Sequence, residues 1–133
     1  MIQFENYECK QGKAVVFTLS DKRYYSKTAT HDKTGQFWRN GDYDGKPIKI
    51  WFVSTYSGGG EHIKIMYGKK TTWDTLSWNL AGESKCYVQG LYRGSYADIQ
   101  FSAKEFMEVL QAIGSVSELA NFKNACDANK YEY

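Results

Sequence analysis

The sequence predicts an α+β fold: a twisted antiparallel sheet of roughly five to seven strands with two C-terminal α-helices packed on one face. Three observations carry this. Apolar residues alternate with period two in several segments before residue 102, as they do along half-buried strands. Helical spacing with clear start and stop signals comes only after Ser102. Aromatic residues make up 17% of the chain, with eleven tyrosines and four tryptophans, a composition suited to pleated, half-buried surfaces.

Residues 2 to 9 read as a short edge strand, followed by a turn at Gln11-Gly12 and a stronger strand over 13 to 20. Asp21 and Lys22 separate that strand from Arg23 to Ser26, a spacing that predicts a hairpin between the two runs. Thr28 to Gly35 is small and polar, hence a loop. Asn40-Gly41 and Asp44-Gly45 are turn signals, and Pro47 opens the next strand.

Pro47 to Lys70 reads as the central hairpin. Ile48, Ile50 and Phe52 alternate with Lys49, Trp51 and Val53, and after Gly58-Gly59-Gly60 the pattern returns as Ile63, Ile65 and Tyr67 against His62, Lys64 and Met66. If the isoleucine rows face the core, Lys49, Trp51, His62 and Lys64 share the other face. Residues 69 to 83 are ambiguous. Trp73, Leu76 and Leu80 fit one face of a short helix, while the threonines favour an irregular excursion. Strands are expected again over 84 to 91 and 96 to 101, across a turn holding Arg93 and Gly94.

Ser102 and Glu105 form an S-x-x-E capping box, and Phe106, Val109, Leu110 and Ile113 make an apolar stripe that Gly114 ends. Ser115 or Ser117 caps a second helix that buries Leu119, Phe122 and Cys126. Residues 1 to 133 form a single domain on this reading, with the sheet over 1 to 101 and the helices over 102 to 128. A chain of this length buries roughly two thirds of its unfolded surface without metal or disulfide support.

Net charge is +2, but residues 1 to 103 hold fourteen Lys/Arg against ten Asp/Glu and the remaining thirty hold three against five. A basic sheet and an acidic tail follow. Cys9, Cys86 and Cys126 are odd in number and widely spaced, which fits reduced thiols and a cytoplasmic protein. The N-terminus lacks a signal-peptide pattern, and no apolar run reaches membrane-spanning length, so no membrane partner is expected.

The chemistry-bearing residues do not converge on a reaction. His31 precedes Asp32-Lys33 and His62 precedes Ile63-Lys64, so neither the paired H-x-S/T tripeptides of two-histidine phosphoesterases nor a metal-ligand spacing is present. Gly58 to Gly60 precedes a strand, whereas a phosphate loop precedes a helix. Gly68-Lys69-Lys70-Thr71 is not a Walker motif. Asp42 and Asp44 fit turn chemistry and lack the further oxygen ligands that calcium requires. The expectation is a protein that is not an enzyme and has no catalytic residue, metal or cofactor.

What remains is an aromatic and basic sheet face. Lys49, Trp51, His62 and Lys64 lie on the hairpin, and Tyr87 and Arg93 follow from the later strands. Aromatic rings stack on bases and lysines contact phosphates, so single-stranded nucleic acid is the expected partner. The close alternative is a stand-alone inhibitor or adaptor that docks on another protein or nucleoprotein complex, for example a phage-encoded antagonist of a host defence system, because tyrosine is enriched at protein interfaces. A basic sheet followed by a capped helix is loosely similar in architecture to small single-strand-binding folds that dimerise through a C-terminal helix. That likeness implies a homodimer and carries no motif residue over.

Overall fold

The computed structural model describes residues 3–9, 12–19, 24–25, 48–67, 74–92 and 95–133. The strands are β1 (Gln3–Cys9), β2 (Gly12–Leu19), β3 (Tyr24–Tyr25), β4 (Ile48–Ser57), β5 (Gly60–Tyr67), β6 (Asp74–Thr75), β7 (Ser77–Gly82), β8 (Lys85–Tyr92) and β9 (Ser95–Ser102), followed by α1 (Ala103–Ile113) and α2 (Val116–Ala128). The α+β class and the antiparallel pairing are as the sequence predicts. The single twisted sheet of five to seven strands expected from the sequence is not found: the described strands form two sheets, ordered β1-β2-β4-β5-β6 and β3-β9-β8-β7.

The expected central hairpin is β4–β5, paired without a break from Ile50↔Tyr67 to Ser57↔Gly60. Gly58 and Gly59 have φ of 61° and 84°, the two left-handed residues that a type I′ turn requires. Ile50, Phe52, Ile63 and Ile65 are buried and join Val15 and Phe17 of β2 in the core.

The hairpin expected between 13–20 and 23–26 does not form. β2 instead lies between β1 and β4, while Tyr24 and Tyr25 pair with Ile99 and Asp98 of β9. Ala14, Val15, Val16 and Phe17 are all buried. A strand covered on both faces belongs in the middle of a sheet, and the two-residue β3 is too short to flank it.

The reading of 69–83 as a short helix or irregular excursion is also corrected. Residues 74–82 are extended, and Leu76, Trp78 and Leu80 alternate onto the core with period two. Trp73 lies outside the described residues. The segment changes neighbours midway: Thr75 is opposite Lys64 of β5, the Leu76 N–H donates to the Ile63 carbonyl at 2.9 Å, and Ser77 is opposite Gln89 of β8. A strand that switches sheets in this way makes a corner. Tertiary pairing with β5 and β8 satisfies the backbone that a helix would otherwise have satisfied internally.

The C-terminal helices close the core. Ser102 and Glu105 form the expected capping box, with Glu105 N–H to Ser102 Oγ at 3.1 Å and Ser102 N–H to Glu105 Oε1 at 2.9 Å. Gly114 ends α1 at φ 74°. Phe106, Val109 and Leu110 are buried, and α1 touches β2 and β4 of one sheet and β8 and β9 of the other. Ser115 caps α2, whose Phe122 stands edge-on to Phe106 at 4.8 Å and to Trp78 at 5.1 Å. After α2, the Gly82 N–H donates to the Tyr131 hydroxyl at 2.6 Å and the Glu132 N–H to Ser84 Oγ at 2.8 Å, fastening the tail to the β7–β8 turn. Among the described residues no helix is long and apolar enough to cross a membrane.

Candidate binding face

Strand alternation divides the outer surface of the bent sheets into two parts. Around β2 and β4, the side chains opposite the core row are Ala14, Val16 and Val53, with Met66 from β5, and all four are buried. This part is covered. The unbroken apolar run Ala14-Val15-Val16-Phe17 was the signal in the sequence, since a strand with one wet face alternates and a strand with none does not.

Trp51 lies in this row, opposite Val16 and Met66, and is half-buried. Lys49 is opposite Thr18 at the start of β4. His62 and Lys64 continue the outer row along β5, with His62 exposed and Lys64 half-buried. Thr55 Oγ1 donates to the His62 carbonyl at 3.3 Å, fixing that end of the hairpin.

The second part of the surface is polar. Thr75, Ser77 and Asn79 are exposed on the β6–β7 segment, and Lys85, Tyr87 and Gln89 alternate on β8 with the buried Cys86 and Val88. Asn79, Tyr87 and Gln100 stand side by side across β7, β8 and β9. His62, Lys64 and Tyr87 thus share one outer surface, joined through the switching strand. Arg93 lies outside the described residues, as do His31, Asp42 and Asp44.

The described side chains here offer hydroxyls, amides, an imidazole and two ammonium groups, and none is a carboxylate. Lys85 meets Glu83 of the adjoining turn at 3.6 Å, and Asp98 holds the register position opposite Gln89. The sequence reading missed Lys85, Asn79, Gln89 and Gln100. The alternation in Lys85-Cys86-Tyr87-Val88-Gln89 was the available signal for three residues of β8.

Comparison with known protein families, curated proteins and solved structures gives no match.

A separate patch lies where the β4–β5 hairpin meets α2. Glu61 Oε1 accepts hydrogen bonds from the hydroxyls of Ser115 and Ser117, the latter at 2.9 Å, while Glu61 Oε2 accepts from the Tyr56 hydroxyl at 3.3 Å. A carboxylate at a helix N-terminus is favourable because it meets the positive end of the helix dipole. On either side of this junction Tyr56 is 79% exposed and Val116 78%.

Cys86 and Cys126 are buried free thiols. Burial pushes the Cys86 thiol well up from its ordinary value, with Cys126 and Glu105 adding to the rise. Cys126 is also raised, first by burial and then by Asp127. Both remain protonated near neutrality, which makes them poor nucleophiles. Among the described residues no group of three or more His, Cys, Asp or Glu converges as a metal site would.

Proposed function

We propose that this protein is a non-enzymatic binding protein whose outer sheet surface, from His62 and Lys64 across to Tyr87, engages single-stranded nucleic acid. The supporting observation is the composition of the surface: a half-buried tyrosine ring, two lysines and a histidine are set among amides and hydroxyls. Tyr87 offers a face on which any base can stack, and Lys64 and Lys85 offer phosphate contacts. The buried row around Val16, Val53 and Met66 limits the role of Trp51, so stacking falls to Tyr87.

Titration of labelled single strands at several salt concentrations tests the reading. Lys64→Ala should weaken binding to all sequences and reduce the slope of log affinity against log salt by about 0.7 per lost phosphate contact. Tyr87→Ala should cost about 1–3 kcal/mol and leave that slope unchanged, because stacking releases no counterions. Absence of saturable binding at about 50 mM salt, where phosphate contacts act strongly, would overturn it.

The second reading, an inhibitor or adaptor docking on a protein, is favoured by Tyr56 and Val116. Two large apolar side chains left exposed around a rigid, hydrogen-bonded junction are suited to anchor a protein contact.

A further inference from the structure

β1 forms one edge of the five-stranded sheet. Its inner side is paired along its whole length, from Gln3↔Thr18 to Cys9↔Gly12, and among the described residues no strand lies along its outer side. In an antiparallel ladder every second residue of an edge strand turns its N–H and C=O outward. Seven residues give an edge about 23 Å long. Edges of this length are usually blunted by proline, lysine, a bulge or a covering segment. β1 has no proline or lysine, and its register is regular throughout.

The side chains say what would fit. Phe4 is 41% exposed while its ring lies 4.6 Å from that of the buried Phe17, so the edge of the core reaches the surface there. Glu5, Asn6 and Glu8 are exposed. Glu5 and Glu8 occupy opposite faces of the strand, which carries no cation of its own, so each face presents a carboxylate, with Lys13 of β2 at the register position opposite Glu8.

We propose that the β1 edge accepts an extended, lysine- or arginine-bearing segment of a partner protein as an added strand, with an apolar residue against Phe4 and cations opposite Glu5 and Glu8. Main-chain hydrogen bonds supply the affinity in this mode and alternate side chains the specificity. Charge selects this occupant over a second copy of the chain. Two β1 strands side by side would place four carboxylates in one ladder with no cation between them, and like charges across strands are unfavourable. The edge lies away from the His62–Lys64–Tyr87 surface, so the proposal stands or falls independently of nucleic-acid binding.

The test is fluorescence anisotropy of the full chain with a labelled lysine–valine peptide whose two lysines stand three residues apart with valine beside one of them (Lys-Thr-Thr-Lys-Val), so that a cation meets each glutamate on its own face and valine meets Phe4. Controls are the same peptide with glutamate in place of lysine and the lysine–valine peptide N-methylated at every residue, which removes the N–H donors from both of its edges. The lysine–valine peptide should bind saturably and slow hydrogen exchange in β1. The N-methylated peptide keeps its charge and cannot complete the ladder, so it should not bind. Glu5→Lys with Glu8→Lys changes only exposed side chains and should weaken binding by about tenfold or more, as attraction becomes repulsion at two positions. Equal binding of the N-methylated peptide would reduce the effect to charge alone and overturn strand addition. Sedimentation showing a dimer that excludes the peptide would assign the edge to a second copy instead.

Discussion

Replacing Phe106 by alanine tests whether one core joins both sheets to the helices. The ring is fully buried, 6.0 Å from Phe101 of β9 and 4.8 Å edge-on from Phe122 of α2, and its helix also touches β2 and β4. Truncating a buried phenylalanine costs about 3–5 kcal/mol, comprising lost transfer energy and the cavity left behind. The upper part of that range is expected because two aromatic pairs are lost as well. With an unfolding entropy of about 2.1 cal/mol/K per residue, a loss of about 4 kcal/mol lowers the Tm of a 133-residue chain by roughly 14 °C. Urea denaturation followed by circular dichroism and by tryptophan fluorescence reads the loss with two probes. A cost under about 1 kcal/mol, the range of a surface substitution, would refute the shared core. So would two separate transitions, since the sheets would then unfold independently.

Three further outcomes are expected. Ser102→Ala removes the α1 cap and should lose about 1 kcal/mol in the same denaturation assay, well short of Phe106→Ala. Glu61→Ala strips Ser115, Ser117 and Tyr56 of a shared acceptor and should cost about 1–3 kcal/mol, with faster hydrogen exchange in the first turn of α2; unchanged exchange would show that the junction is ornamental. The raised Cys86 thiol contributes stability that is fully present below the unfolded thiol's pKa near 8.5 and declines above it, because only the unfolded chain then releases the proton. Wild type should therefore lose stability more steeply than Cys86→Ala as the pH rises above about 9, by at most about 1.4 kcal/mol per pH unit, and parallel profiles from denaturation at stepped pH would contradict it.

Local signals made some elements legible. The β4–β5 hairpin follows from alternating isoleucines around consecutive glycines, and α1 from Ser102, Glu105, an apolar stripe and Gly114, all within a few residues of one another. The β6–β7 segment was not legible. Trp73, Leu76 and Leu80 fit a helix as well as Leu76, Trp78 and Leu80 fit a strand; the choice is made by pairing with β5 and β8, and the β7–β8 turn is Glu83-Ser84, both at positive φ without the glycine or asparagine that would mark it. Strand partners were equally hidden, because short spacing favoured β2 with β3 while double burial of Ala14 to Phe17 required β4. At the candidate face, alternation correctly set His62 and Lys64 opposite the isoleucines. It could not reveal that Val53 and Met66 in the same outer rows are covered, although the unbroken run Ala14 to Phe17 marked Val16 as such. Exposure depends on the whole fold, whereas facing depends only on parity.

The strand that changes partners at Leu76 also governs cooperativity. Its first half completes a ladder with β5 and its second half a ladder with β8, and the Leu76–Ile63 hydrogen bond sits at the crossing. Opening either sheet pulls on a backbone that the other sheet is holding, and Leu76, Trp78 and Leu80 leave the common core together. The two sheets should therefore unfold as one cooperative unit, although their hydrogen-bond ladders are separate.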